Sequence, residues 1–388
     1  MTVPEGLAAG PIYLDYNATT PVDPAVTEAM SPLFTNAFGN PSSDHHYGAA
    51  PRAALDRARE QVAAVIGATG GRIVFTGSGS EADNLAIRGA VLASGADRPH
   101  VITQRTEHPA VLAACAALHR WHGADVTYLP VDGDGLVDPG ELAAAFTPRT
   151  VLVSIMAANN ETGARQPVAD LARVTREHGA VFHCDAAQTI GKVPFDVTAL
   201  GVDLLTVVGH KMYAPKGIAA LYVRSGVRLE PLVYGGGQEH GLRAGTENVA
   251  LAVALGAAAR LAADDLARGG QHRLQRLRDR LHERLADSLP RRVLRNGPAD
   301  ARLPNTLNVS ITGAAGHAVL AATPGVAAST GSACHSGTHE PSPVLTAMGL
   351  SAERSLSAVR LSLGRWTTEA EVDSAAAQLV TATGESGP

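Results

Sequence analysis

Of 32 basic residues in the chain only three are lysine: Lys192, Lys211 and Lys216. Arginine stands almost everywhere a plain positive charge would do. The remaining lysines are therefore candidates for chemistry closed to a guanidinium, because an ammonium can lose its proton and form a Schiff base. Lys211 closes Gly209-His210-Lys211, directly after the apolar run Leu204-Leu205-Thr206-Val207-Val208. An amine at the exit of a buried strand, beside a histidine, suits a carbonyl cofactor such as pyridoxal phosphate. Lys192 and Lys216 lie in turns flanked by Gly or Pro and read as surface lysines.

Other segments carry compatible chemistry. Thr76-Gly77-Ser78-Gly79-Ser80-Glu81 lies between a strand and a helix. Its small residues let backbone amides approach an anion at a helix N-terminus, and a helix cap by Ser78 or Ser80 is the plainer reading. Asp185, in His183-Cys184-Asp185, is an acid at a strand end, able to pair with a protonated pyridine nitrogen. His108 precedes a helix and could stack on a flat ring or exchange protons. Arg360 sits in the apolar run Val359–Leu363 and needs an anion, either a substrate carboxylate or a structural acid. Cys334 occupies the small-residue stretch Ser329–Gly337, where a low-pKa thiol would be a nucleophile. Cys115 and Cys184 lie in apolar contexts and read as inert core residues. The spacing of Cys334, His335 and His339 matches no closed zinc pattern.

These residues need a scaffold, and 388 residues can bury a large core in two domains. Strands are expected at Arg72–Phe75, His100–Thr103, Val126–Leu129, Val151–Met156, Val181–Cys184, Leu204–Val208 and Ala219–Val223. Helices are expected over Pro51–Ile66, Glu81–Ser94, Pro109–Trp121, Pro167–His178 and part of Asn248–Asp264. Their alternation predicts a mostly parallel, doubly wound α/β sheet, with ligands beyond the carboxyl ends of its strands. After residue 265 the pattern changes. Leu274, Leu277, Leu281 and Leu285 mark an amphipathic helix, followed by strands Leu307–Ile311 and Val359–Leu363 and a last helix near Thr368–Val380. That part reads as a smaller α+β domain, with Ala327–Pro343 as a long loop. A net charge of −5 gives no reason to expect nucleic acid. No apolar run approaches the ~20 residues that span a bilayer. Three cysteines exclude a disulfide scaffold and point to a reducing cytoplasm.

Together the segments resemble the cysteine desulfurase / selenocysteine lyase family of pyridoxal phosphate enzymes, class V aminotransferases of fold type I. The resemblance is carried by Tyr13–Pro21, Gly39–Ser43, Thr106-Glu107-His108, Asn159–Gly163, Asp185–Gln188, Gly209-His210-Lys211, Gly235–Glu239, Arg243–Thr246, Gly331–Cys334 and Arg360–Arg365. It implies a seven-stranded, mostly parallel sheet flanked by helices. The large cofactor domain would span 15–262, and the small domain 1–14 and 263–388, with the cysteine loop at about 327–343. It further implies that Lys211 joins the cofactor aldehyde, Asp185 pairs with the pyridine nitrogen, Gln188 bonds the ring oxygen and His108 stacks on the ring. Gly79 and Ser80 amides, the Ser80 hydroxyl and His210 would hold the phosphate, with Thr246 reaching the phosphate of a neighbouring subunit in a homodimer. Asn160 and Arg360 would bind the substrate carboxylate, and Cys334 would take the substrate sulfur as a persulfide for an acceptor protein.

The implied activity is L-cysteine desulfuration to L-alanine, with selenocysteine lyase as the alternative. Desulfurases of the family often carry a hydroxyl residue just before Gly-His-Lys, where this chain has Val208. Selenocysteine lyases resemble the chain there, and in Cys334-His335-Ser336 and Pro341–Leu345, whereas the Cys334–Pro341 length resembles long-loop desulfurases. An ordinary aminotransferase would give Cys334 no special role. A non-catalytic ligand sensor would have no reason to keep Lys211, Asp185, His108 and Cys334 together.

Overall fold

The computed structural model of the chain describes residues 2–331 and 340–385. Seven strands form one sheet: β1 (Arg72–Thr76), β2 (His100–Gln104), β3 (Asp125–Leu129), β4 (Thr150–Ser154), β5 (Val181–Asp185), β6 (Leu204–Val208) and β7 (Ala219–Val223). Their order is β1-β7-β6-β5-β4-β2-β3. The neighbours β6-β5-β4-β2-β3 pair in parallel, and β7 runs antiparallel to both β1 and β6. Hence β1, β2, β4, β5 and β6 all end on the same edge, the edge expected to carry the site.

The expected strands stand within a residue or two of their observed limits, because all but the edge strand β3 are short apolar runs largely buried on both faces. Leu205 and Val207 of β6 enter one apolar cluster, with Val62, Ile66 and Phe182, while Leu204 enters another with Leu85, Val101 and Leu118. That alternation follows from the two-residue period of a strand. The first cluster is covered by α1 (His46–Val65) and α4 (Val249–Ala267), the second by α2 (Gly79–Ala93) and α3 (Pro109–His122). Alanine and glycine bring α1 and α4 close. A Cβ on Gly256 would stand 2.8 Å from Ala58 Cα, so only glycine fits that crossing.

Beyond α4, helix α5 (Gly270–Ser288) presents Leu274, Leu277, Leu281 and Leu285 to a second apolar core. That core contains strands β9 (Thr306–Ile311) and β10 (Ala358–Ser362), helix α6 (Glu369–Glu385) and Leu14. Strand β8 (Val293–Arg295) completes an antiparallel sheet of order β10-β9-β8. The sequence reading omitted β8, a three-residue strand with no fully buried position. It also omitted the two-residue pairing of Ile12–Tyr13 with Val326–Ala327. Part of the expected Ala327–Pro343 loop, residues 332–339 with Cys334, lies outside the described residues. Among the described residues no helix is long and apolar enough to cross a membrane.

Candidate active site

Lys211 follows β6 in a single 3-10 turn, Gly209–Lys211. Its Nζ donates to the carbonyl oxygens of Asn17 and Ala18, each at 2.7 Å. No carboxylate lies within ion-pair distance of it among the described residues. Burial, aided by the Arg360 charge, therefore brings its pKa down from 10.5 to about 8, against the pull of Asp185 and Asp15. An amine near neutrality can act as nucleophile and base at physiological pH.

Asp185 ends β5, where the amide of Ala187 donates to its Oδ1 at 2.9 Å. Burial raises its pKa, while that amide, His108 and Lys211 favour the carboxylate. His108 caps α3, its Nδ1 accepting from Ala110 N at 3.2 Å. The residue is exposed, and the surrounding protein lowers its pKa, with Asp185 opposing and Lys211 adding to the shift. Three residues from three strand ends thus act on one another electrostatically. Two further acids stand beside Asp185. Glu107 accepts from Met156 N at 2.6 Å and Gln104 Nε2 at 2.8 Å, and burial pushes its pKa up to about 8. Asp83 is pushed up by burial and then by Asp185. Asp185 alone of the three has nearby basic groups, His108 and Lys211, that favour its charged form.

The phosphate-binding candidates gather at the start of α2. Ser78 caps the helix, its side chain accepting from Glu81 N at 3.1 Å, which bears out the capping reading for that residue. Glu81 Oε2 accepts from Gly77 N at 2.8 Å. Gly79 and Ser80 are the first helical residues, and their amides have no intrahelical acceptor. Ser80 is exposed. A Cβ on Gly79 would stand 2.6 Å from Val208 Cγ2, so the helix start packs against the end of β6. His210 pairs Nδ1 with Thr19 Oγ1 at 3.1 Å, and burial followed by Lys211 lowers its pKa to about 4, leaving a neutral imidazole.

Asn160 and Arg360 lie together, Arg360 Nη1 donating to the backbone carbonyl oxygen of Asn160 at 3.1 Å. Arg360 also pairs with an acid of the chain, Nη2 to Asp15 Oδ1 at 2.7 Å. The structural ion pair is thus formed, and the buried Arg360 Nε has no hydrogen-bond partner among the described residues. Gln188 lies beside Lys211's anchor, its Nε2 donating to Asn17 O at 3.0 Å. Thr246 is exposed and lines a cavity of about 280 Å³ with Gly77, Ile218 and Arg243. Cys115 and Cys184 are buried free thiols with raised pKa, the inert core residues expected.

Sequence reasoning missed two residues. Lys192, read as a surface lysine, is buried, its Nζ donating to Gln188 Oε1 at 2.6 Å and Asn17 Oδ1 at 3.0 Å. Its place one helical turn after Gln188 was the available signal. Lys216, by contrast, is exposed as expected. Asn17 is the second. Besides holding Lys211 and Gln188, it donates from Nδ2 to Thr306 Oγ1 at 2.9 Å and Asn160 O at 3.2 Å. Its presence in the segment Tyr13–Pro21 was the only hint.

A site at the carboxyl edge of a mostly parallel seven-stranded sheet, with a lysine, an acid and a histidine at or just beyond the ends of β6, β5 and β2, defines a fold type I enzyme architecture. The model of the family Aminotransferase class-V matches residues 12–374, and the chain belongs to that family. A curated relative, the cysteine desulfurase IscS of Anaeromyxobacter dehalogenans (strain 2CP-C), is 49% identical over 367 residues, covering 94% of this chain and 90% of the relative. Among solved structures, a NifS-like protein superposes with a TM-score of 0.88 at 35% identity, covering 96% of this chain and 98% of its own. A structure described as SspA in complex with cysteine gives a TM-score of 0.80 at 37% identity, covering 92% and 99%.

Proposed function

We propose that the chain is a pyridoxal 5'-phosphate-dependent L-cysteine desulfurase, which releases L-alanine and carries the sulfur as a persulfide on Cys334. The convergence of Lys211, Asp185 and His108 at three strand ends carries this reading. The residues fit the cofactor: a depressed amine for its aldehyde, a charge-bearing acid for its ring nitrogen, an imidazole for its face and bare helix-start amides for its phosphate. When bound, the cofactor's ring supplies an electron sink for charge developing at the substrate α-carbon.

The chain's residues do the rest. Lys211 Nζ holds the cofactor and, once released, moves the substrate's α-proton. Asp185 keeps a proton on the ring nitrogen. Gln188 donates to the ring oxygen, and His108 covers the ring. The amides of Gly79 and Ser80, the Ser80 hydroxyl and His210 hold the phosphate. Arg360, through its remaining N–H groups, and Asn160 orient the substrate carboxylate. The Cys334 thiolate attacks the substrate sulfur, so a sulfur–sulfur bond forms as the carbon–sulfur bond breaks. The carbon fragment takes up a proton and leaves as alanine.

The same reading assigns Thr246 to the phosphate of a partner subunit, and so makes the active form a homodimer. It places two domains at 15–262 and at 1–14 with 263–388. It also implies a sulfur-accepting protein and a cytoplasmic location, which suits free Cys115 and Cys184. Borohydride reduction of the cofactor-loaded enzyme, followed by peptide mass spectrometry, should find the label on Lys211. A label elsewhere, or none, refutes the cofactor assignment. Cys334→Ser should keep the cofactor's visible band and lose sulfur release from cysteine. Undiminished release would remove Cys334 from the reaction.

A further inference from the structure

Lys192 is one of three lysines in the chain, and it is spent on the interior. A buried lysine ordinarily needs a carboxylate, yet its two partners are side-chain amide oxygens, Gln188 Oε1 at 2.6 Å and Asn17 Oδ1 at 3.0 Å. Burial, then the charges of Lys211 and Arg360, push its pKa well down, and its two hydrogen bonds both go to uncharged acceptors. The turn after β5 brings it there, Lys192 N bonding Thr189 O at 3.0 Å so that the side chain folds back under Gln188.

The two ends of a carboxamide are nearly the same in shape and opposite in hydrogen bonding. Which end of Gln188 faces the site is therefore set by its partners. Nε2 faces the carbonyl oxygen of Asn17, and among the described residues Lys192 Nζ is the donor that satisfies Oε1. Without it a buried acceptor is left bare, a state the amide can relieve by turning over. The turned amide would set its oxygen against Asn17 O and offer no N–H to the site. Asn17 responds to the same amine. Its Oδ1 accepts from Lys192 and from Asn305 Nδ2 at 3.1 Å, which leaves Nδ2 for Asn160 O, the oxygen that Arg360 also holds.

We propose that Lys192 is a positioning residue that fixes the carboxamide orientation of Gln188 and Asn17, and so sets the hydrogen-bonding face shown to the cofactor ring. The inference rests on Gln188 touching the cofactor, as proposed above. The test is a double-mutant cycle on the full-length chain freed of cofactor, with pyridoxal 5'-phosphate as the probe and its dissociation constant read from the absorption change. Lys192→Met keeps the length of the side chain and removes its donors. It should weaken binding about tenfold, the worth of one well-made hydrogen bond. Gln188→Ala should weaken binding to a similar extent, and the double variant should be no weaker than Gln188→Ala alone.

A double variant near the product of the two losses, about a hundredfold, would make Lys192 a packing residue independent of Gln188 and overturn the proposal. So would Lys192→Met with unchanged affinity beside a weakened Gln188→Ala. Unchanged affinity in Gln188→Ala would instead strike the cofactor contact itself, and the inference with it. Should Lys192→Met not fold, Lys192→Leu carries the same cycle. It too removes the donors to Gln188 and Asn17, and the same lack of additivity is expected.

Discussion

Lys211 owes its chemistry to what it lacks. Two backbone carbonyls take its amine at 2.7 Å, and among the described residues no carboxylate lies within ion-pair distance of it. With a pKa of about 8, about a tenth of the amine is neutral at pH 7 and about nine-tenths at pH 9. Capture of pyridoxal 5'-phosphate by the cofactor-free enzyme should accordingly quicken about tenfold over that interval and then level off, as followed by stopped-flow absorbance. A flat profile would show that Lys211 is already neutral below pH 7. The linkage has the same origin. Between about 8 and 10.5 the unfolded chain keeps a proton that the folded chain has released, so the stability lost to burying this lysine is recovered as pH rises. The scarcity of lysine in the sequence exposed Lys211 but misjudged Lys192. A glycine before Lys192 and a proline two residues beyond it describe a turn, and turns are usually at the surface. Only the tertiary fold turns that side chain inward beneath Gln188.

At the scale of elements, the site is a set of strand ends, and strand ends were easy to read. Runs such as Leu204–Val208 are apolar on both faces because helices cover the sheet on both sides, and that leaves a strong mark on the sequence. Pairing leaves none. Nothing in Ala219–Val223 says that it runs against its neighbours, or that Ile12–Tyr13 lies beside Val326–Ala327. Arg360 shows the same gap, since an anion was required and Asp15, brought by the N-terminal segment, is one. Val208 is where two elements meet. Its Cγ2 lies against Gly79 at the start of α2, where the phosphate is proposed to bind. Val208→Thr keeps the shape and adds a hydroxyl beside that anion. It should tighten pyridoxal 5'-phosphate binding by about three- to tenfold, measured by equilibrium titration. Equal or weaker binding would mean that the strand end does not face the phosphate.

The whole molecule is held across the site. The N-terminal segment gives Leu14 to the apolar core of α5 and α6, Asn17 to Lys211, and Thr20 to the carbonyl of His210. Asp23, a little further on, caps the helix Pro24–Met30 and meets Arg365 Nη1 at 2.6 Å. Arg365 also lies over the Tyr213 ring at 4.3 Å, while its amide donates to the Tyr213 hydroxyl at 2.7 Å. Both charges are buried, so the pair joins the region after β10 to the start of the helix Pro24–Met30 through a medium that tolerates no lone ion. Arg365→Met should cost about 3 kcal/mol, because Asp23 is left without its counter-ion, and the midpoint of urea unfolding should fall with the slope unchanged. Adding Asp23→Asn should restore most of that loss, since removing both charges also removes the need to desolvate them. A double variant as unstable as Arg365→Met would show that the arginine contributes through its contact with Tyr213 rather than through the ion pair. A second unfolding transition in Arg365→Met alone would show that this pair is what makes the two cores melt as one.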